Sequence, residues 1–403
     1  MCRSKKTTSV IEPSHRSKAY KSSPTSTLFT RSSNSTSTTI TSSSYGISTS
    51  NSSVLSLKSP LSVLPENPHI YEFSEIRTAT NNFLAKPFSS SSSSSTSWRC
   101  NLRGKDVVVF QRKMRRIINT SELSHRLSVI SRSHHSSLVK LLGATLSSNY
   151  VFLVYEYVPG ANLVTCLRNP RNPDFTVLSR WVLRAQIAAD FAHGLEYIHH
   201  CSGLDSTFVH NHIQSTSIIV TEDPLRVRIC HFGTAELCEA RDVTDRPILS
   251  KSKSNGLKIE GTKGYMAPEL KVTGVSTQKS DVYAFGVVLL ELISGKEALK
   301  YDCDESAAGG YRSANIIDSA REVVGGGGVG LRRWVDRRLK DSYPVEVAEK
   351  MVLVGLECVK QDPEERPDMG RVAGLMSKLY LESMEWEQKI VLPVEFSVSM
   401  APR

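Results

Sequence analysis

The sequence predicts an α+β fold in which a small β-rich region precedes a larger helical region, with a disordered tail in front of both. Strand-like runs at residues 106–110 and 150–157 indicate the sheet. Apolar residues at helical spacing in 181–200, together with the apolar run at 282–290, indicate the helical region. Residues 1–65 contain 31 Ser or Thr and almost no apolar clusters, so burial cannot offset their ordering entropy.

These composition shifts divide the chain into four parts. They are a disordered Ser/Thr-rich basic tail at 1–65, a β-rich region at 66–158, a helical region at 159–380 and a C-terminal extension at 381–403.

The net charge of +10 is concentrated in the tail, which carries eight Lys or Arg and one Glu. Seven of the ten net charges therefore lie in the tail, and the rest of the chain is close to balanced. A nearly balanced globular part lacks the basic surface of a nucleic-acid-binding protein, so we expect no nucleic-acid partner.

The eight Cys form no C-x-x-C pair, which predicts neither a zinc site nor a disulfide framework and favours a reducing compartment. The longest apolar run, residues 282–290, is too short to cross a bilayer. The N-terminus also lacks the apolar segment of a secretory signal. We therefore expect a soluble, cytoplasmic protein.

Three interpretations of the tail remain open. It is a plain solvated tail, or a plastid transit peptide, since such peptides are Ser-rich, basic and poor in acidic residues. The third interpretation is a peripheral contact with the inner face of the plasma membrane. There, acylation of Cys2 and the neighbouring charges of Arg3, Lys5 and Lys6 would bind anionic lipid.

Local patterns predict further elements between the tail and the C-terminus. Residues 71–83 and 121–134 are predicted to be helices, and residues 138–143 a strand. Residues 241–258 are rich in Ser, Lys and Arg and predict a mobile loop, while the Gly-rich residues 301–330 also predict a loop. The helix at 121–134 should bury Leu123, Leu127 and Ile130.

Several motifs resemble those of protein kinases, and of plant receptor-like kinases in particular. They are E-F-S-E-I-R-T-A-T-N-N-F at 72–83, V-H-N-H-I-Q-S-T-S-I-I at 209–219, H-F-G at 231–233, G-T-K-G-Y-M-A-P-E at 261–269 and D-V-Y-A-F-G at 281–286. The resemblance covers about residues 71–380 and is closest to the LysM-receptor and receptor-like cytoplasmic kinase groups. It implies the two-lobed protein-kinase fold, with a β-rich N-lobe and a helical C-lobe.

The resemblance implies that the residues which hold a kinase together are retained. Asp281 would cap the backbone of the catalytic loop, and Glu269 would pair with Arg366. The retained structural positions are His210, Phe232, Gly233, Glu269, Asp281 and Arg366.

The positions that carry phosphoryl transfer are all replaced. Phe110 stands where the family has its phosphate-binding Lys, and Arg126 where the Glu that pairs with this Lys is expected. His212 replaces the catalytic Asp, and His231 replaces the metal-binding Asp. The degenerate positions are Phe110, Arg126, His212, Gln214, Ser217 and His231.

Two smaller departures accompany these replacements. Seven serines, Ser89 to Ser95, stand in place of the Gly-rich loop and predict a flexible run, and Asn211 replaces the Arg before the catalytic Asp. Lys113 lies three residues after Phe110, so on a strand it should point to the other face and not substitute for the missing Lys.

The resemblance places a hinge at Glu156, Tyr157 and Val158, whose backbone would contact an adenine. With the carboxylates gone we expect no Mg²⁺ and no required cofactor, and weak or absent ATP binding in which Arg126 would attract bare phosphate. A transition-metal site at His210, His212 and His231 is the less favoured interpretation, because the fold already accounts for His210.

Three functions remain open. The first is a pseudokinase that acts as a scaffold or allosteric partner of other kinases or receptor complexes in plant signalling. The second is a residually active Ser/Thr kinase, and the third is a nucleotide-binding switch without catalysis. Because transfer requires the Lys, the metal ligands and the base together, we expect the chain to be catalytically inactive.

Overall fold

The computed structural model describes residues 68–92, 95–169, 178–238, 261–303, 311–325 and 327–391. The tail at 1–65, with its three interpretations, and the loop predicted at 241–258 lie outside the described residues. Within the described part of the chain, no helix combines the length and apolar character needed to span a bilayer.

The N-lobe is a six-stranded sheet with two helices. Its elements are β1 (His69–Ile70), α1 (Phe73–Ala79), β2 (Ser89–Ser92), β3 (Ser95–Leu102), β4 (Lys105–Lys113), α2 (Thr120–Ile130), β5 (Leu141–Ser147) and β6 (Tyr150–Glu156). The strands lie in the order β1-β5-β6-β4-β3-β2, antiparallel except for the β1–β5 pair. The predicted strand at 138–143 therefore begins later and extends further, at Leu141–Ser147.

Strand β4 explains why both faces of this sheet are covered. Val107 and Val109 are buried in an apolar cluster with Ile76 of α1. Side chains alternate across a strand, so Val108 and Phe110 face the opposite side. That side of the sheet closes the cleft between the two lobes.

The polyserine run is partly a strand and not a simple flexible segment. Ser89–Ser92 forms β2, in which Ser89 pairs with Ser97 of β3, while residues 93–94 lie outside the described part. The expectation was wrong because pairing at a sheet edge uses backbone N–H and C=O groups, which any residue except proline offers fully.

The apolar face of α2 is confirmed. Leu123, Leu127 and Ile130 are each buried, with at most 1% of the residue exposed. The Asn119 side chain caps the helix by accepting a hydrogen bond from the Glu122 N–H at 2.7 Å. The cap therefore sets where the helix begins, and its apolar face packs into the hydrophobic core.

The C-lobe is mainly helical. It begins with β7 (Ala161–Asn162), α3 (Leu163–Leu167), α4 (Trp181–Glu196), a π-helical turn at Tyr197–Cys201, a 3-10 turn at Ser215–Ser217, β8 (Ile218–Glu222), β9 (Leu225–Ile229) and α5 (Thr234–Cys238). It continues with α6 (Pro268–Thr273), α7 (Gln278–Ser294), β10 (Leu299–Cys303), β11 (Tyr311–Asn315), α8 (Ile316–Gly325), α9 (Gly327–Trp334), α10 (Val345–Cys358) and α11 (Met369–Val391). Two further 3-10 turns lie at Arg337–Leu339 and Pro363–Glu365.

Helix α7 is the centre of this lobe. Every residue from Ser280 to Ser294 is buried, and Phe191 of α4 packs on Phe285 with ring centroids 4.9 Å apart. A helix that is apolar on all sides must be covered on all sides, and α4, α8 and α10 contact it. Asp281 is in its first turn, which directs a carboxylate at the catalytic loop.

Two predicted boundaries need correction. The Gly-rich residues 301–330 contain most of the hairpin β10–β11, the helix α8 and the first half of α9, although residues 304–310 and 326 lie outside the described part. The loop prediction failed because Ile316, Ile317 and Ala320 bury an apolar face that the glycines concealed. Helix α11 also runs to Val391, across the boundary placed after residue 380.

Candidate functional site

A cavity of about 770 Å³ lies between the β-rich and helical lobes. Val108, Phe110 and Arg112 of β4 form its roof, and residues 211–214 and 216 of the catalytic loop form part of its floor. The volume is in the range of pockets that hold small organic ligands. The site is therefore open to a ligand, and its chemistry depends on the residues that line it.

The predicted hinge residues Glu156, Tyr157 and Val158 all line this cavity. The Glu156 carboxylate forms an ion pair with Arg228 and accepts the Lys140 N–H at 3.0 Å. The Glu156 side chain is thus held by the protein itself, while the hinge backbone borders the cavity.

Tyr155, just before the hinge, connects the sheet to the H-F-G segment. Its hydroxyl donates to the Phe232 carbonyl at 2.9 Å and lies 3.0 Å from Thr234 Oγ1. Burial raises the pKa of Tyr155, so the hydroxyl stays protonated and remains a donor. Phe232 is buried and packs on Phe208, and Gly233 has a φ of 81°, which a side chain tolerates poorly.

Asp281 organises the catalytic loop. Its carboxylate accepts the His210 N–H at 2.7 Å and the Asn211 N–H at 2.8 Å, and His199 Nε2 lies 3.1 Å from Oδ2. Burial raises the pKa of Asp281, but the hydrogen bond from His199 and the nearby histidines together hold it below its usual range. The ionised carboxylate therefore fixes two backbone groups of the loop, including Asn211 in its left-handed conformation at φ 57°.

His210 is fully occupied by the loop itself. Its Nε2 lies 3.0 Å from the Cys230 carbonyl, and its Nδ1 accepts the His212 N–H at 3.3 Å. With both ring nitrogens bonded, His210 has no lone pair for a metal. Among the described residues, no group of three His, Cys, Asp or Glu has metal-binding geometry.

The two substituted histidines face the cavity as neutral groups. Burial lowers the pKa of His212 to about 4 and that of His231 well below its ordinary value. The positive charge of Arg112 lowers both pKa values further. His212 and His231 lie side by side, with ring centroids 6.1 Å apart.

Phe110 and His231 are in direct contact across the cleft. Their ring centroids are 4.6 Å apart and the rings meet edge-to-face at 81°. By the motif resemblance, these two positions correspond to the phosphate-binding Lys and a metal ligand of an active kinase. An aromatic contact therefore occupies the place where cationic and anionic groups would meet the phosphates.

Ser217, which the resemblance assigns to the position of the second metal ligand, is not among the described residues that line the cavity. Its hydroxyl accepts the Gln214 N–H at 3.1 Å and donates to the His212 carbonyl at 2.7 Å. Ser217 thus closes the loop's own turn, while the Gln214 side chain borders the cavity.

Arg126 lies away from the cavity, contrary to the expectation that it would attract phosphate. Its guanidinium pairs with Glu122 at 2.6 Å and donates to the Glu236 carbonyl at 2.7 Å. Glu122 is one turn away at i−4, where a helix brings side chains together. Arg126 therefore fastens α2 to α5.

Arg112 is the cation that the sequence reasoning missed. It lines the cavity two residues after Phe110, on the same strand face. The alternation of strand faces that excludes Lys113 from the cleft places Arg112 on the cleft side, and Lys113 is exposed in the structure. The period of the strand was the available signal.

The carboxylates of the cavity wall do not fit a divalent cation bound to phosphates. Only Glu156 and Asp281 are acidic among the described lining residues; the first is paired with Arg228 and the second is bonded to the catalytic loop. Mg²⁺ requires oxygen ligands in a near-octahedral arrangement. No step of a reaction can be assigned to a metal here.

Glu269 and Arg366 form a bidentate ion pair beneath the site. Both N–H···O distances are 2.7 Å, and the Arg366 side chain is completely buried. Arg366 also donates to the carbonyls of Lys360 and Lys279. The pair ties the first turn of α6 to the loop after α10.

Residues 98–376 match the sequence profile of the protein tyrosine and serine/threonine kinase family. The chain belongs to this family. The two-lobed kinase fold and the recognition of a receptor-like kinase relationship, both predicted from the motifs, are confirmed.

The similar curated proteins are plant receptor kinases. LysM domain receptor-like kinase 3 of Arabidopsis thaliana is 33% identical over 332 residues, which cover 80% of this chain and 48% of that protein. Chitin elicitor receptor kinase 1 of Physcomitrium patens is 32% identical over 325 residues, which cover 79% and 47%. The chain thus spans about half the length of the curated relatives it matches.

A solved structure adds a comparison of the fold. The pseudokinase domain of BIR2, an immune regulator of the RLK/Pelle family, has a TM-score of 0.59 to this chain at 25% identity. The match covers 79% of this chain and 90% of that domain. The kinase fold of this chain is therefore similar to that of a pseudokinase domain.

Proposed function

We propose that this chain is a pseudokinase, a kinase fold that works by binding partners and not by transferring phosphate. The observation that carries the proposal is the edge-to-face contact of Phe110 with His231, at 4.6 Å. This contact replaces both the phosphate grip and a metal ligand with aromatic groups. Neither group provides the charge that phosphoryl transfer needs.

The floor of the cleft supports the same conclusion. His212 stands at the base position, and its low pKa means that it is neutral at pH 7. A neutral imidazole can accept a proton, but a base with a pKa of about 4 is poorly matched to a reaction at neutral pH. Loss of a base or a charge-stabilising group typically costs about a hundred- to ten-thousand-fold in rate.

We further propose that the partners are other protein kinases or receptor complexes in plant signalling. The internal contacts of Asp281, Glu269 and Arg366 are complete, which supports a kinase fold that stays intact for partner binding. The similar proteins are receptor-like kinases, and BIR2, whose domain has a similar fold, is an immune regulator. A location at the cytoplasmic side of such complexes is part of this proposal.

A transfer assay tests the first proposal. The purified full chain is given radiolabelled ATP, Mg²⁺ and a generic substrate, beside His212→Ala and a receptor kinase domain of known activity. We expect no transfer by the chain above His212→Ala. Turnover that His212→Ala abolishes would instead support a residually active Ser/Thr kinase.

A binding experiment tests the second proposal. The tagged chain is purified from plant cells, and co-purifying kinases are identified by mass spectrometry and then confirmed with isolated domains. His212→Ala is the matched control, since partner binding should not depend on the cleft floor. If no kinase is enriched over a tag-only sample, the scaffold role is wrong even if the chain is inactive.

A further inference from the structure

A second cavity, of about 290 Å³, borders the loop between α2 and β5. Its polar lining includes Ser136 and Lys140 of this loop, the first hinge residue Glu156, and Arg228 of β9. Glu156 is the only acidic residue of the described lining and is ion-paired with Arg228. One carboxylate thus offsets one of two cations, and the lining keeps a net positive charge.

Backbone hydrogen bonds hold Ser136 beside Arg228. The Ile229 N–H donates to the Ser137 carbonyl at 2.7 Å, and the Val139 N–H donates to the Ile229 carbonyl at 3.0 Å, so the loop runs along the end of β9. The Arg228 guanidinium donates to the Ser136 carbonyl at 3.1 Å. The carbonyl and the hydroxyl of one residue are only a few bonds apart. A group attached to the Ser136 hydroxyl can therefore reach this guanidinium.

Ser136 is the accessible serine of the loop. Ser133 and Ser137 are buried, and the Ser131 hydroxyl donates to the Ser128 carbonyl. Ser136 is exposed, and its hydroxyl forms no hydrogen bond with the described residues. An enzyme that modifies hydroxyl groups would therefore find one exposed acceptor in this loop.

Both cations have a donor to offer to a new group. Arg228 bonds to the Ser136 carbonyl and to Glu156, but its Nε is buried without a hydrogen-bond partner in the described part of the chain. The Lys140 N–H donates to Glu156 Oε1 at 3.0 Å, while its ammonium forms no ion pair with the described residues. A buried donor without a partner is costly, and an oxygen that reaches it removes that cost.

We propose that Ser136 is a phosphorylation site and that Arg228 and Lys140 bind its phosphate. A phosphoserine carries about 1.5–2 negative charges at pH 7 and three acceptor oxygens, which charged donors bind strongly. The Arg228 Nε and the Lys140 ammonium are such donors. The phosphate would compete with Glu156 for Arg228, so the modification changes the contacts of the first hinge residue.

The phosphate comes from ATP bound to a partner kinase, so this site rests on the proposed function and deepens it by naming a form of regulation. The Ser136 oxygen forms a bond to the γ-phosphorus of ATP while the bond from that phosphorus to the β-phosphate oxygen breaks. ADP leaves, and the hydroxyl proton passes to the catalytic base of the partner kinase. This chain is the acceptor and transfers nothing itself.

The first measurement locates the phosphate. The tagged chain is isolated from plant cells with its partners and incubated with ATP and Mg²⁺. Trypsin then releases residues 133–140 as one peptide, because Arg132 and Lys140 bound it. Fragmentation in the mass spectrometer should place phosphate on Ser136. A peptide recovered only without phosphate, or with phosphate on the buried Ser133 or Ser137, would overturn the acceptor.

The second measurement tests the binding of the phosphate and needs no partner. Phosphoserine is installed genetically at position 136 of the full chain, and its second pKa is measured by phosphorus NMR. The usual value is about 6, and we expect it to be lowered by about one unit, because nearby positive charges favour the dianion. Phosphoserine installed at Ser124, an exposed position on α2, is the reference and should titrate close to the usual value.

Substitutions identify the donors. In the phosphorylated chain, Arg228→Gln should return the pKa of the phosphate most of the way to the usual value, and Lys140→Gln part of the way. Arg132→Gln is the matched control. It removes the same charge from an exposed side chain four residues before Ser136, outside the cavity lining, and should leave the pKa nearly unchanged.

Two results would overturn the phosphate-binding role. One is a pKa of the phosphate at Ser136 equal to that at Ser124, and the other is a lowered pKa that neither Arg228→Gln nor Lys140→Gln raises. If Arg228→Gln does not fold, Lys140→Gln and the comparison with Ser124 still decide the question. Because the installed phosphate requires no partner kinase, this failure is distinct from failure of the pseudokinase assignment, which the transfer assay tests.

Discussion

Removal of Arg366 should destabilise the chain strongly. Its buried guanidinium donates to both carboxylate oxygens of Glu269 at 2.7 Å and to the carbonyls of Lys279, Lys360 and Gln361. Loss of one partner from a buried ion pair costs about 3–5 kcal/mol. The 18% exposure of Glu269 lets water reach the orphaned carboxylate and lowers this cost, while the three orphaned carbonyls raise it. We therefore keep the estimate at about 3–5 kcal/mol for Arg366→Ala.

For a chain of this size, that loss corresponds to a melting temperature lowered by about 4–7 °C. The assay is thermal unfolding followed by circular dichroism. The chain supplies a matched control in Arg103, which forms a bidentate pair with Glu75 at 2.8 and 3.1 Å, but with 48% and 33% of the two side chains exposed. Arg103→Ala should melt within about one degree of the parent, because exposed pairs contribute little. An Arg366→Ala variant that melts as close to the parent as Arg103→Ala does would refute the reasoning.

Three further predictions concern the cleft. Asp281→Asn should destabilise the chain by about 2–4 kcal/mol in urea unfolding and speed amide exchange at residues 210 and 211, since the amide cannot accept both N–H groups as an ionised carboxylate does. Stability should fall as the pH is lowered from about 6.5 to about 4, because the folded pKa of His212 is about 4 and the unfolded chain binds more protons in that window; urea midpoints measured for His212→Gln should have a shallower pH slope. His231→Asp alone should not confer Mg²⁺-dependent ATP binding in thermal-shift assays, whereas Phe110→Lys with His231→Asp should begin to do so, because the pair restores the phosphate grip and a metal ligand together.

The sequence motifs predicted the positions of the C-lobe helices well, because the residues of each motif have a fixed structural role. Asp281 lies in the first turn of a helix that has no exposed face. A carboxylate buried there can bond to only a few backbone groups, so its contact with the catalytic loop is predictable. The Gly-rich residues 301–330 were misread because composition outweighed Ile316, Ile317 and Ala320, whose burial depends on contacts with distant helices. Apolar periodicity at these three positions was the better indicator.

The site shows a different limit of sequence reasoning. A motif assigns Arg126 to a position, but the side chain's direction is set by Glu122 and by the Glu236 carbonyl, which is 110 residues away in the chain. The residues near Arg126 in the sequence therefore do not predict that it donates to the Glu236 carbonyl. Arg112 could have been predicted to face the cleft, because residues two apart on a strand share a face and the motif already placed Phe110 there.

On the proposed function, the arrangement of contacts accounts for a kinase fold that persists without its chemistry. The retained groups satisfy one another: Asp281 caps the loop and Arg366 holds Glu269, without help from any catalytic residue. The substituted groups have also gained partners within the protein, since Ser217 closes the loop's turn and Phe110 packs on His231. The buried charges that an active cleft must hold for its metal and phosphates are costly to desolvate. Their replacement by an aromatic contact removes that cost, so the altered cleft should favour stability of the scaffold over catalysis, as a binding protein requires.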